Sequence, residues 1–316
     1  MPSEPSILSV LQPFIGQTTH YTEPFPIDSG MIRRFAEVIG DKNPLYFDDA
    51  HARTTSFGGI VAPPTLLFEW NHHEHGGIPA AASEEMRRRL SYRPATVRGV
   101  NEFTITQPLR PGDVITSRSV LSDLYVKDGR TGTLTFIVFE IAYTNQQGQL
   151  LGETRDTFIA LPRPQEAAAR GGTADLAPPG ELTELVTELS VEQFARYAAV
   201  CWDFAAIHYD SVAAQAQGYY AAYADGPMVT AMLARQVSEW TGRRGLVKRL
   251  EASYRGMMFP GDTLTCSGRL LSERDDEEGG RLSEYEVWAA NQDGRGVVRG
   301  TAFVSVPSAG TDAIGD

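Results

Sequence analysis

The sequence predicts an α+β fold made twice, each copy an antiparallel sheet wrapped around a helix. Three observations carry this. First, Asp41-Lys42-Asn43-Pro44-Leu45-Tyr46 and Asp203-Phe204-Ala205-Ala206-Ile207-His208 stand 162 positions apart, with Asp over Asp and Tyr over His. The same spacing, without a gap, pairs Asp28 with Ser190, Phe35 with Tyr197, Asp48 with Asp210 and Phe57 with Tyr219. Second, the order of matches persists further along at shorter spacing. Pro111-Gly112-Asp113 matches Pro260-Gly261-Asp262 at 149, and Asn145-Gln146-Gln147-Gly148 matches Asn291-Gln292-Asp293-Gly294 at 146. The first copy therefore carries extra residues in its middle, near 71–95. Third, each copy ends in a series of strand-like apolar runs separated by Gly-containing turns.

Element by element, each copy opens on a helix, about 30–39 and 191–200. Asp28 and Ser190 are suited to cap these helices, and Gln193 completes a capping-box pattern with Ser190. The Asp-containing loop follows. An apolar helical segment comes next, about 65–73 and 227–241. In the second, Met228, Met232, Leu233, Val237 and Trp240 recur at helical spacing and predict a buried stripe. Strands are expected over 98–107, 113–126, 132–144 and 150–160, and again over 248–257, 262–272, 282–291 and 295–305. Phe136-Ile137-Val138-Phe139-Glu140-Ile141 is representative of them. The domain boundaries that follow are 1–161, a Pro-, Gly- and Ala-rich linker at 162–180, 181–307, and a small polar tail at 308–316.

A net charge of -12 disfavours nucleic acid as a partner, because phosphate binding needs a positive field. No apolar run has the length of a membrane span and no basic start precedes a long apolar run, so neither a membrane nor a signal peptide is expected. The two cysteines, Cys201 and Cys266, lack metal-type spacing, and the expectation is a cytoplasmic protein without disulfides.

The motifs carry a resemblance. Phe35-Ala36-Glu37-Val38-Ile39-Gly40-Asp41-Lys42-Asn43-Pro44-Leu45-Tyr46, Ala62-Pro63-Pro64-Thr65 and Asn101-Glu102-Phe103 resemble the N-terminal half of MaoC-like dehydratases. Trp202-Asp203-Phe204-Ala205-Ala206-Ile207-His208-Tyr209-Asp210 and Asp225-Gly226-Pro227-Met228 resemble the hydratase motif of the same superfamily, the R-specific enoyl-CoA hydratases or hydratase 2 group. The resemblance spans nearly the whole chain outside the linker and tail. It implies a double hot-dog fold, two copies in a pseudo-dimer, an acyl thioester substrate, and a catalytic Asp and His in one half only. By position these fall on Asp203 and His208, with the backbone donor to the thioester oxygen at Gly226. Two positions depart from the family: Ala205 stands where Asn is usual, and Asp225 where His is frequent.

The chemistry suits these residue types. A carboxylate and an imidazole can hold one water and share its proton traffic. Backbone N–H groups at a helix N-terminus can receive an oxyanion. Gly226 lets a ligand approach closely, and Pro227 fits the first helical turn. The expected reaction is hydration of a trans-2-enoyl thioester or dehydration of an R-3-hydroxyacyl thioester. Two alternatives stay open: a specialised dehydration, elimination or cyclisation of a carrier-bound metabolite, and a non-catalytic acyl-binding subunit. No cofactor or metal is expected; coenzyme A or phosphopantetheine would enter as part of an acyl-CoA or acyl-carrier-protein substrate. Arg243, Arg244, Lys248 and Arg249 are the candidate phosphate-binding patch, and Arg87-Arg88-Arg89 with Arg93 and Arg98 form a second basic run. Tyr46, a poor base near neutral pH, marks the first copy as structural. His72, His73 and His75 with Glu74 read as a solvated helix end, and Cys201 as a buried filler. A fused pair can stand alone or pair again into a homodimer.

Overall fold

The computed structural model describes residues 6–70, 80–90, 96–129, 132–160, 175–277 and 279–307. In the first copy, β1 (Thr18–Tyr21) and β2 (Phe25–Pro26) precede the long strands β3 (Thr96–Ile105), β4 (Val114–Gly129), β5 (Gly132–Thr144) and β6 (Leu150–Ala160). In the second, β7 (Leu185–Glu188) precedes β8 (Leu246–Tyr254), β9 (Thr263–Asp275), β10 (Arg281–Ala290) and β11 (Gly296–Val306). They form one antiparallel sheet in the order β1-β4-β5-β6-β3-β8-β11-β10-β9-β7, with β2 paired on β4. The eight long strands fall on the expected runs. The short β1, β2 and β7 were not expected, since two to four residues are too few to show an alternating pattern.

The copies are related by a two-fold axis that can be read from the register. Where β3 meets β8, Glu102 pairs with Glu251, its own counterpart at a spacing of 149. Counterparts can pair with each other only where a two-fold axis passes between them. A second such point lies where α1 (Ser29–Val38) meets α2 (Val191–Cys201): the Phe35 and Tyr197 rings stand 5.8 Å apart. Backbone hydrogen bonds repeat in step. Ile27 N donates to Asp113 O at 2.8 Å and Leu189 N to Asp262 O at 2.9 Å; Ala62 N donates to Leu109 O and Ala224 N to Met258 O, each at 2.8 Å.

The copies differ in the helix each sheet holds. In the second, α3 (Gly226–Trp240) is buried from Pro227 through Ala234 and packs on β8, β9, β10 and β11. In the first, the corresponding described helix is Leu66–Glu69, and a separate helix follows at Ala80–Arg89, which packs on Ile7–Leu11. The predicted linker at 162–174, the tail at 308–316, His72, Glu74 with its neighbours His73 and His75, and Arg93 lie outside the described residues. The last linker residues pair with the second copy: Ala177 N donates to Gly294 O at 2.8 Å and Gly296 N to Asp175 O at 2.9 Å.

Candidate active site

Asp203 follows directly on the end of α2. The chain turns at Trp202, which adopts a left-handed conformation (φ 57°) where its counterpart is Gly40 (φ 70°). That conformation costs a non-Gly residue about 1 kcal/mol or more. Asp203 N donates back to Ala198 O at 2.9 Å, and Asp203 Oδ1 accepts the N–H of Ala205 at 3.0 Å. This Asx-type turn leads into one 3-10 turn, Ala206–His208, which ends on His208.

His208 is 9% exposed, and its Nδ1–H donates to the carbonyl of Tyr223 at 3.0 Å. A carbonyl only accepts, so in the neutral ring the lone pair lies on Nε2. Nε2 stands 4.0 Å from Asp225 Oδ1. One carboxylate oxygen each of Asp203 and Asp225 and a ring nitrogen of His208 lie within 4.8 Å of one another. Two carboxylates and an imidazole are acid–base groups, and by donor type they could also hold a divalent cation.

Gly226 begins α3, immediately after Asp225, with Pro227 behind it. The Tyr254 ring of β8 lies so close that a Cβ at position 226 would stand 2.7 Å from Tyr254 Cε1. Tyr254 is held there by a 2.9 Å hydrogen bond between its hydroxyl and Thr230 Oγ1. The N-terminal turn of a helix thus opens beside the His208 ring; Pro227 has no N–H and Met228 N–H donates to Asp225 O at 3.1 Å, which leaves Gly226 as the first backbone donor of the turn.

The corresponding place in the first copy is built differently. Asp41 Oδ1 accepts the N–H of Asn43 at 2.9 Å, repeating the Asp203 turn. Tyr46 replaces His208, and Pro63 and Pro64 replace Asp225 and Gly226 at the 162 spacing. Proline has no N–H, so this cleft lacks a backbone donor where the other has one. Burial raises the Asp41 carboxyl above its usual range, against the opposing Asn43 hydrogen bond and Arg235. Burial, then Asp41, pushes the Tyr46 phenol well above its ordinary value. The signal for this is in the sequence itself: Pro64 is the counterpart of Gly226 at the same spacing.

The structure gathers Asp203, His208 and Gly226 and adds Asp225 and Tyr254, which the motif alone did not select. It does not bring Arg243, Arg244, Lys248 and Arg249 to Gly226. They follow the far end of α3, and a 15-residue helix is about 22 Å long. Arg243 pairs with Glu239 at 2.6 Å and lines the Tyr46 cleft, while Arg249 pairs with Glu102 at 3.0 Å. Cys201 is buried, its thiol raised well above the usual value by burial; burial likewise pushes Cys266 up to about 12. Neither is suited to act as a nucleophile.

Two family models match in tandem: the FAS1-like dehydratase domain region over residues 13–154 and the MaoC like domain over 175–285. The chain belongs to the MaoC-like dehydratase family. It is 32% identical over 117 residues to a UPF0336 protein of Thermobifida fusca, covering 37% of this chain and 74% of that one. It is 45% identical over 53 residues, 17% of each chain, to the 3-oxo-4,17-pregnadiene-20-carboxyl-CoA hydratase alpha subunit of Mycobacterium tuberculosis. A Mycobacterium tuberculosis protein described as a double hot-dog fold superposes with a TM-score of 0.64 at 14% identity, over 92% of this chain and 96% of that one. The fold of the chain is therefore the double hot-dog. Among the described residues, no helix is long and apolar enough to cross a membrane.

Proposed function

We propose that this MaoC-like protein adds water to a trans-2-enoyl thioester, or removes it from an R-3-hydroxyacyl thioester, at Asp203, His208 and Gly226. The observation that carries this reading is the locked His208 tautomer: Nδ1–H is tied to the Tyr223 carbonyl, and Nε2 stands 4.0 Å from Asp225 Oδ1, just before the start of α3. In hydration, a water held between Asp203 and His208 loses a proton as its oxygen bonds to the β-carbon. The resulting imidazolium lies near two carboxylates, which stabilise it. The electron pair of the carbon–carbon bond moves toward the thioester carbonyl, whose oxygen takes up negative charge at the Gly226 N–H. That charge collapses as the α-carbon accepts a proton from the Asp203/His208 pair, so water is added across the double bond with no net loss or gain of protons. Dehydration runs the same path in reverse. The carboxyl-CoA hydratase subunit named above supports a coenzyme A thioester as substrate. Coenzyme A or a carrier-bound phosphopantetheine arm would enter with the acyl group.

The test follows the ultraviolet absorbance of the conjugated enoyl thioester in a series of 2-enoyl-CoA esters of increasing chain length, with the product resolved by configuration. Loss of conjugation and an R-3-hydroxyacyl product are expected. Binding of these esters without conversion, in either direction, would favour an acyl-binding subunit and overturn the reading.

A further inference from the structure

We propose that Arg98, from the copy without the Asp/His pair, is a positioning residue of the Asp203/His208 site: its guanidinium offsets the Asp225 carboxylate so that charge can build on the thioester oxygen at the Gly226 N–H. The proposal rests on the hydratase reading above.

The two-fold axis supplies the geometry. Val247 lines the first copy's cleft together with Tyr46, Pro63, Pro64 and Ile105. At the 149 spacing, the counterpart of Val247 is Arg98 and that of Ile105 is Tyr254. Tyr254 lies against Gly226, as the symmetry requires, and comes from β8, the strand next to the one that bears Arg98. Arg98 therefore takes in the Gly226 cleft the place Val247 takes in the Tyr46 cleft. The charges covary between the two clefts: Asp225 and Arg98 occur together in one, and their counterparts Pro63 and Val247 are both uncharged in the other.

Arg98 is held in place. Its Nη1 lies 3.4 Å from Asp156 Oδ2 and 3.3 Å from Asn101 Oδ1, and its guanidinium sits 5.0 Å over the Phe158 ring. Asn101 Nδ2 in turn donates to Asp156 Oδ1. Burial alone would lower the Arg98 pKa; the carboxylates of Asp156, Asp225 and Glu69 around it outweigh that and hold it charged. A carboxylate one residue before an oxyanion donor opposes the charge that must form there, strongly so where water is excluded. A fixed cation nearby removes that opposition without reorganising during the reaction.

The experiment is steady-state turnover of an enoyl-CoA by the full chain. Arg98→Met should lower kcat about 10- to 100-fold, a loss below or near that of an oxyanion donor itself, with KM changed less than about threefold. Adding Asp225→Asn should bring kcat to within about threefold of Asp225→Asn alone, since the charge to be offset is gone. Adding Asp156→Asn instead should give no such recovery. Should Arg98→Met not fold, Arg98→Met with Asp156→Asn, which removes both buried charges, becomes the background for the same Asp225→Asn comparison. Wild-type kcat in Arg98→Met, or recovery by Asp156→Asn but not by Asp225→Asn, would overturn the proposal and leave Arg98 a purely structural partner of Asp156. A wild-type protein that converts no enoyl thioester would instead overturn the hydratase reading, and this role with it.

Discussion

At single residues, the two clefts differ by a few atoms that decide what each can do. Gly226 offers an N–H and no Cβ; Pro64 offers neither N–H nor room. Gly226→Ala would place a methyl group 2.7 Å from Tyr254 Cε1, so the ring or the first turn of α3 must move. The expected result is a folded protein, by circular dichroism, whose kcat falls about 10- to 100-fold; unchanged kcat would remove Gly226 from the site. Asp41 gives a prediction of the opposite sign. Its carboxyl is raised by burial, so its contribution to stability is fully present below the ordinary value of 3.8 and is lost as pH rises through the raised folded value. Asp41→Asn, which keeps an oxygen for the Asn43 N–H, should raise the thermal midpoint at neutral pH by ~2 °C or more, and the gain should vanish in acid. A midpoint that falls at neutral pH would show that the Asp41 charge is needed in the fold. The Asp and His of the motif were legible in the sequence because they are local. Asp225 was legible only as a departure from the family's His and Arg98 only as part of a basic run, because the cleft they share depends on a strand register and an axis that only the folded chain supplies.

Among the elements, the long strands were legible because a half-buried strand alternates over many residues. The long helix of the second copy was legible from its apolar stripe. In the first copy residues 65–70 of the predicted helix lie within the described residues, and the helix among them, Leu66–Glu69, spans a single turn. Arg243, Arg244, Lys248 and Arg249 follow the far end of α3, because this 15-residue helix separates them along the chain from Gly226. The seam between the copies rests on β3 and β8, and β11 backs β8. At Gly300 of β11, an added Cβ would fall on the carbonyl oxygen of Glu251, the residue at the two-fold axis. Gly300→Ala should therefore destabilise the protein by about 2–4 kcal/mol, read as a lower urea midpoint. A loss below about 0.5 kcal/mol, the size usual for a neutral surface change, would mean that β11 can step away from β8 without consequence.

On the scale of the whole molecule, one chain holds two copies of a cleft and equips them unequally. The second keeps an imidazole with a fixed tautomer, flanking carboxylates and a helix N-terminus. The first keeps the Asp turn but closes with a phenol and two prolines, and faces the second with Arg98. The unequal equipment of the two clefts was readable from the 162 spacing, since Tyr46 stands where His208 does. Its central consequence is that all turnover belongs to the second cleft. The measurement that tests this most directly is turnover of an enoyl-CoA by Asp203→Asn, His208→Gln and Tyr46→Phe, each checked for folding. The near-isosteric changes at 203 and 208 should each lower kcat by about 10²–10⁴. The double variant should be little slower than the slower single one, because the two groups act on one water. Tyr46→Phe should stay within about threefold of wild type, given that losing an acid–base group would cost far more. Full activity in folded Asp203→Asn, or collapse in Tyr46→Phe beside an unaffected His208→Gln, would place the chemistry in the other copy and contradict the account.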